Sequence, residues 1–511
     1  MKKLFLIAFV LFQIVVASAQ TSIVLETDSA KQIINRNIYG HFAEHLGRCI
    51  YGGFYVGDTS KIPNTNGVRN DIMGSLKKLK IPNLRWPGGC FADTYHWKDG
   101  IGPKNKRPTI VNKWWGGVTE DNSFGTHDFL SMCELLDAEP YLSGNVGSGT
   151  VQELADWVQY VNFDGKSPMS DLRRTNGREK PWKVKFWGIG NEAWGCGGNM
   201  TAEYYANEYR KYATFISDWE NTGGLMRIAS GASDADYHWT ETLMKNIPLN
   251  MLSGVALHHY STVEWNHKGS ATDFTEQQYF ATMKSALWMD SLVINHTAIM
   301  DKHDPQKKVA LVVDEWGGWY NVEPGTNPGF LYQQNTMRDA MITGVTLNIF
   351  NNHADRIRMA NLAQTVNVLQ AVVLTDKEKM ILTPTYHVME MYNVHHDATM
   401  IPVRVKTDNY VLNNNTLPAV SVSASKDKNG LTHISLVNID PNKNQEVTVN
   451  INGASFKNVT GRILTSAHIQ DHNTFDDPEK IKPATFSGAT LRGNALSVKM
   501  PPASVVVLEL K

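Results

Sequence analysis

Two carboxylates stand in the same unusual setting. Glu192 lies in VKFWGIGNEAWGCGG (184–198), where an apolar, aromatic run ends in Asn191-Glu192 between Gly190 and Trp194. Glu315 lies in VALVVDEWGGWY (309–320), where a second apolar run ends in Asp314-Glu315, followed by Trp316 and Trp319. A charge placed among apolar groups is costly unless it is paired or its pKa shifts. For either glutamate alone, the simplest reading is a buried ion paired with Arg or Lys. Two at matched positions suggest more. Glutamates facing each other can flank a glycosidic bond, one kept partly protonated as the acid and the other ionised as the nucleophile.

The elements that would hold them recur along the chain. Eight short apolar runs read as strands: NIYGHF (37–42), IPNLRW (81–86), EPYLS (139–143), KFWGIG (185–190), MRIAS (226–230), GVALH (254–258), KVALVVD (308–314) and VTLNIF (345–350). Amphipathic segments lie between several of them. Thr150–Glu153 reads as a capping box before Leu154, Trp157, Val158 and Val161. Ala202, Tyr205, Tyr209, Tyr212, Ile216 and Trp219 fall on one helical face, a core stripe rather than a binding one. Alternating strands and helices imply parallel βαβ units, and eight of them fit a closed (β/α)8 barrel better than an open sheet. Glu192 and Glu315 then end the fourth and seventh strands, across the barrel mouth, 123 positions apart in the chain. Beyond about residue 385 the pattern changes to period two, as in VTVNI (447–451) and LSVKM (496–500), with frequent turn residues. That is the signature of an antiparallel β-sandwich. SIVLE (22–26) has no obvious barrel partner and is expected to join the sandwich. The organisation is thus a signal peptide over 1–19, a sandwich strand within 20–36, the barrel over 37–385 and the β-sandwich over 386–511.

Other polar groups fall at strand ends: Glu44, Arg85, His258-His259-Tyr260 and Asn351-Asn352-His353. They give a polar mouth on an apolar barrel. His41, Glu44 and His45 match H-x-x-E-H, a zinc-peptidase pattern that requires a helix. Here it follows a strand and stops at Gly47, so no metal site is expected. The four cysteines, Cys49, Cys90, Cys133 and Cys196, have no C-x-x-C spacing, and sequence does not assign their pairing. Charged residues are 19% and the formal net charge is −1, which gives no electrostatic reason to expect nucleic acid or an anionic membrane as partner. The N-terminus MKKLFLIAFVLFQIVVASAQ has a basic start, an apolar stretch and Ala17-Ser18-Ala19, the form of a secretory signal peptide. Export to a periplasm or the outside is therefore expected. No later run is apolar enough to span a membrane.

At these residues the sequence resembles glycoside hydrolase family 51, the α-L-arabinofuranosidases. The matching stretches are IYGHFAEHLGRCIYGG, NLRWPGGCFADTYHWKDGIGP, WGIGNEAWGCGG, LHHYS, VDEWGGWY and LAQTVNV, in order from residue 38 to 368. The resemblance implies a barrel followed by a β-sandwich, with Glu192 as acid/base and Glu315 as nucleophile. It implies that Asn191 bonds the sugar 2-hydroxyl and that Glu44, Arg85, Tyr260, Trp319 and Gln364 line a furanose pocket. Cys90 stands where many members carry Asn, and a thiol is a weak hydrogen-bond partner. The activity implied is retaining, exo-acting removal of terminal α-L-arabinofuranosyl units from arabinan, arabinoxylan or their oligosaccharides, with no cofactor. Family members are often homo-oligomers, though no interface is evident in the sequence. Two alternatives stay open: an endo-acting β-glucanase or xylanase on the same barrel, and a glycan-binding protein that has lost catalysis.

Overall fold

The computed structural model describes residues 21–219 and 223–511. The signal-peptide segment 1–19 lies outside the described residues. Strand β1 (Thr21–Glu26) opens the described chain. Eight strands then close a barrel: β2 (Gly40–Phe42), β3 (Asn83–Trp86), β4 (Glu139–Gly144), β5 (Phe186–Ile189), β6 (Met226–Ser233), β7 (Gly254–Ser261), β8 (Ala310–Gly318) and β9 (Ile357–Ala363). Every neighbouring pair in the barrel is parallel. Tyr141, Phe186, Ile228, Ala256, Ala310, Val312 and Met359, from six different strands, pack together inside the barrel. This apolar plug leaves only the C-terminal ends of the strands open for chemistry.

Seven of the eight predicted runs are barrel strands, and the eighth is not. VTLNIF belongs to helix α3 (Met337–Asn352), and the last strand is β9, IRMANLA. The helices α1 (Val151–Asn162) and α2 (Ala202–Phe215) precede it in the chain. Helix α3 is buried over nearly its whole length, so it carries no polar face to give a 3.6-residue period. On one side Phe350 meets Trp316 of β8 edge-on at 5.5 Å. On the other, Asn348 and Asn351 donate to Ser421 and Ser423 of the C-terminal sheet. Asn351, Asn352 and His353 are therefore not at the barrel mouth: Asn352 donates to Val422 O, and His353 pairs with Asp290.

Helix α1 begins as predicted, with Glu153 N donating to Thr150 Oγ1 at 3.1 Å. The reciprocal half of the capping box is absent, because the Glu153 carboxylate pairs with His96 at 3.0 Å. The helix predicted to reach Trp219 stops at Phe215.

The remainder forms two antiparallel-rich sheets. One has five strands, in the order Val403–Lys406, β1, Gln445–Asn452, Ala495–Met500, Ala489–Arg492. The other has six and is centred on Thr432–Asn438 and Ser504–Leu510. β1 sits inside the first sheet, antiparallel to Val403–Lys406 and parallel to Gln445–Asn452. The Gln445–Asn452 strand alternates buried and exposed, whereas Thr432–Asn438 is buried on both faces because α3 covers its outer side. Among the described residues no helix is long and apolar enough to cross a membrane.

Candidate active site

Glu315 sits within β8, not in a loop beyond it. Successive residues of a strand point to opposite faces, so Asp314 and Glu315 cannot both face inward in a regular strand. An extra residue in β8 resolves this: Val312 pairs with Ala256 but Glu315 pairs with His258, so three residues of β8 oppose two of β7. The bulge turns both carboxylates toward Arg85. Arg85 Nη1 donates to Glu315 Oε1 at 2.9 Å, and its Nε lies 3.5 Å from Asp314 Oδ2. Tyr260 OH donates to Glu315 Oε2 at 2.8 Å. Gly89 admits this carboxylate, since a Cβ there would stand 2.8 Å from Glu315 Oε1.

Glu192 follows β5 after a sharp turn. Gly190 has φ +80° and Glu192 itself φ +38°, a left-handed conformation that costs a non-glycine residue about 1–3 kcal/mol. The turn is pinned from outside. Asp93 accepts from Asn191 N at 3.0 Å and from Val146 N and Gly147 N at 2.8 Å each. Ala193 N donates to Ser230 Oγ at 3.0 Å. Gly197 packs so closely that a Cβ would lie 1.8 Å from Asn191 O. Burial pushes Asp93 up to about 7 despite its three N–H donors.

His258 joins the two glutamates. Its Nδ1 is 2.9 Å from Glu192 Oε1 and 3.6 Å from Glu315 Oε2, while Nε2 is 3.1 Å from Asp314 Oδ1. With a carboxylate at each ring nitrogen, both nitrogens are best used as donors, which requires an imidazolium. Burial opposes that charge, but Glu315 and the hydrogen bonds to Asp314 and Glu192 outweigh it and raise the His258 pKa to about 10. Burial acts to raise Asp314, yet Arg85 and His258 hold it below the ordinary carboxylate range. Glu192 is shifted the other way. Burial raises its pKa, the hydrogen bond from His258 pulls it down, and the charge of Glu315 pushes it up again, for a net rise. One oxygen of Glu192 and one of Glu315 lie within 4.8 Å of each other.

Cys90 and Cys196 are joined in a disulfide, so Cys90 offers no thiol to a sugar. This corrects the expectation of a weak S–H donor there. Sequence could not pair residues 106 positions apart. The Cys196 sulfur is 3.4 Å and the Cys90 sulfur 3.9 Å from Glu192 Oε2. A disulfide has no hydrogen to donate, so Oε2 faces an apolar wall while Oε1 accepts from His258. Oε2 is therefore the oxygen that carries the proton when Glu192 is neutral.

These groups open on a cavity of about 440 Å³. Glu44, Cys90, Glu192, Tyr260, Glu315, Trp319 and Gln364 line it. Arg85 and Asn191 stand behind, and Arg85 Nη2 donates to Asn191 Oδ1 at 2.6 Å. All nine sequence-predicted site residues thus converge. Glu44 accepts from Gly89 N, Phe91 N, Trp115 Nε1 and Gln364 Nε2, at 2.9–3.1 Å. Burial, then the charge of Glu315, raises it to about 7 against those donors. The H-x-x-E-H residues share no common point. His41 is in β2, Glu44 faces the cavity, and His45 Nδ1 binds Glu120 at 2.7 Å. Sequence reasoning placed His258 at the polar mouth without a catalytic part, and gave no role to Asp314, Asp93 or Trp115. For Trp115 the available signal was the Lys-Trp-Trp-Gly-Gly stretch (113–117), a pair of indoles in a glycine-rich loop.

A parallel barrel with two carboxylates under 5 Å apart, one hydrogen-bonded by Arg and Tyr and the other with its pKa raised, defines a glycoside hydrolase. The comparisons with known proteins agree. Residues 75–278 match the alpha-L-arabinofuranosidase 1 domain, and residues 314–504 match the alpha-L-arabinofuranosidase C-terminal domain. The chain is 51% identical to an intracellular exo-alpha-L-arabinofuranosidase of Bacteroides ovatus, over 97% of this chain and 96% of that one. It is similar to the crystal structure of the GH51 arabinofuranosidase from Xanthomonas axonopodis pv. citri, with TM-score 0.95, 47% identity and coverage of 96% and 100% of the two chains. An alpha-L-arabinofuranosidase from Thermotoga maritima, solved as an arabinose complex, has TM-score 0.83 and 29% identity over 96% of this chain and 99% of its own. The chain belongs to glycoside hydrolase family 51, the α-L-arabinofuranosidases. The expectation of export is corrected by the Bacteroides ovatus relative, whose intracellular character points against it.

Proposed function

We propose that the protein is a retaining, exo-acting α-L-arabinofuranosidase that removes terminal arabinofuranosyl units from arabinan, arabinoxylan or their oligosaccharides. The observation that carries the reading is the separation of the two carboxylates, within 4.8 Å of each other in the lining of one cavity. Retaining enzymes hold their carboxyl groups about 5–5.5 Å apart, whereas inverting ones leave room for a water, at about 6.5–9.5 Å. Glu315 attacks the anomeric carbon. Hydrogen bonds from Arg85 and Tyr260 hold it aimed. Glu192 delivers its proton from Oε2 to the leaving oxygen, then takes a proton from the water that releases arabinose. Asn191 has its Oδ1 engaged by Arg85 and its Nδ2 in only a long 3.8 Å contact with Cys196 Sγ, which it can exchange for the sugar 2-hydroxyl. Glu44 and Gln364 bind further hydroxyls at the cavity wall. A cavity suits a chain end, which favours this reading over an endo-acting glucanase or xylanase. Both carboxylates are intact, which weighs against an inactive glycan binder.

The test is hydrolysis of an aryl α-L-arabinofuranoside beside Glu315→Ala, with a chelator added and methanol as a competing acceptor. The expected result is chelator-resistant release, lost in the variant, with the methyl glycoside formed in the α configuration. A β-configured product would sink the retaining mechanism, and no release by folded protein would sink the activity.

A further inference from the structure

Two sulfurs and a carboxylate oxygen, brought together from two loops, meet at one point of the cavity wall. Cys196 Sγ is 3.4 Å and Cys90 Sγ 3.9 Å from Glu192 Oε2. All three residues are partly exposed, and Cys90 and Glu192 line the cavity, so small solutes reach them. Tetrahedral zinc holds sulfur at about 2.3 Å and carboxylate oxygen at about 2.0–2.2 Å, which sets an S···O edge of about 3.6 Å and an S···S edge of about 3.8 Å. The two S···O distances already bracket that edge. Only the sulfurs stand too close, because they are bonded to each other, and reduction frees them to separate.

The backbone around these atoms is held in place independently of the cross-link. Glu192 and Cys196 share one tight turn, in which Gly195 N and Gly197 N both donate to Glu192 O, at 2.7 and 3.1 Å. Cys90 stands between Gly89 and Phe91, whose N–H groups both donate to Glu44, at 3.0 and 3.1 Å. The Cα atoms of the two cysteines are 5.4 Å apart, so both side chains reach a common point. Asn191 Nδ2, 3.8 Å from Cys196 Sγ, is placed to donate to a thiolate there, the kind of outer contact that steadies a metal ligand. A second grouping of ligand-type atoms among the described residues is Glu192, His258 and Glu315, but His258 has both ring nitrogens engaged by carboxylates.

We infer that Cys90 and Cys196, once reduced, form with Glu192 a zinc-binding site that shuts the enzyme by occupying the oxygen that carries the acid's proton. A dithiol reductant supplies the electrons. The Cys90–Cys196 bond breaks, each sulfur gains one electron and one proton, and the dithiol leaves as its own disulfide. Zinc then forms two Zn–S bonds and one Zn–O bond, and the two thiol protons pass to solvent. The cavity side is left for water as the fourth ligand. Thiolates select zinc over magnesium or calcium, which prefer oxygen. The inhibition rests on Glu192 being the acid of the proposed reaction. The binding does not, so the two fail separately.

The experiment compares the full chain as the disulfide with the same protein reduced by a dithiol and desalted without oxygen, its fold checked by circular dichroism. Each is titrated with zinc, followed by metal content and by hydrolysis of an aryl α-L-arabinofuranoside, and with cobalt, followed by its absorption spectrum. The reduced protein should take up one zinc per chain and lose activity, which a chelator restores. The disulfide form should take up none and keep its activity at the same zinc concentration. Cobalt in the reduced protein should show a sulfur-to-metal charge-transfer band. Cys90→Ser and Cys196→Ser, made singly, should lose stoichiometric uptake. Reduced Glu192→Gln should bind zinc at least about tenfold more weakly, since even an outer-shell change costs that much. Cys49 and Cys133, free and buried, are present in every sample as background. No uptake by the reduced protein would overturn the inference, as would equal uptake by the disulfide form, uptake unchanged in either serine variant, or loss of fold on reduction. Zinc capture with no hydrolysis in either state would uphold the site and bring down the activity.

Discussion

Replacing His258 by Gln should move the alkaline limb of the pH–rate profile upward. The bond from His258 Nδ1 to Glu192 Oε1 is 2.9 Å, and its donor is a cation. A hydrogen bond between charged groups in a buried site is worth about 1.5–3 kcal/mol, and one pKa unit is about 1.4 kcal/mol. The contact therefore stabilises the Glu192 carboxylate by about one to two pKa units. The protonated form gains much less from it, so losing the cation raises the pKa of Glu192. The acid must be protonated in the free enzyme for the first step, so kcat/KM falls as pH rises through that pKa. The limb should then shift about one to two units to higher pH. His258, raised to about 10, stays charged throughout the useful range of the parent. The assay is kcat/KM on an aryl α-L-arabinofuranoside from about pH 4 to about pH 10, with denaturant unfolding of both proteins alongside. Stability should also fall, by about 3–5 kcal/mol, because Asp314, Glu192 and Glu315 would face Arg85 as the single remaining cation among them. An unmoved limb, or one shifted to lower pH, would refute an imidazolium at this position.

Gly89→Ala should lower kcat/KM by about ten- to a hundredfold with little change in thermal stability, since the added Cβ collides with Glu315 Oε1 rather than with backbone; kinetics and a melting curve decide. Replacing Cys90 and Cys196 together by Ser removes a cross-link spanning 106 positions, worth up to about 4.8 kcal/mol by loop entropy. It also lets water reach Glu192 Oε2, so the melting temperature should drop and the alkaline limb should move down, opposite to the His258 variant. Stability should peak between about pH 6 and about pH 7. Buried His41, held at about 3, and His127, His387 and His396, held at about 4, must take up protons on unfolding, so stability is lost as pH falls below their unfolded value near 6.5. Glu44 and Asp93, raised to about 7, offset part of that loss, being fewer. On the other side the stability His258 contributes disappears as pH rises toward 10. A melting temperature that climbs steadily to pH 9 would contradict this balance.

The barrel was legible where its strands are short apolar runs that end in polar residues, as at Ile189 and Val313. It was not legible at β9, whose IRMANLA mixes Arg358 and Asn361 with apolar residues. Asn361 is buried and spends its amide on His41 O and Asn83, a pairing that no local pattern announces. Helix α3 misled for the complementary reason. Packed on both sides, it needs no polar face, and Val345, Thr346 and Ile349 give it the composition of a strand. Within the site, Glu192 and Glu315 stand out because a carboxylate after an apolar run is conspicuous. The part played by His258 depends on three acids brought together from two other strands. The disulfide depends on two loops meeting. Neither depends on anything within reach along the chain.

Strand β1 has a consequence for how the protein is made. Four of its six residues pair with Val403–Lys406 on one side and all six with Gln445–Asn452 on the other. On a ribosome β1 emerges before the barrel exists, and its partners emerge only after the barrel has been made. The first strand must wait, unpaired, while eight βα units assemble, and the C-terminal sheet has a slot in its middle until β1 arrives. Translation order and assembly order therefore run against each other. The late step, the insertion of an early segment between two late ones, ties the chain before the barrel to the chain after it.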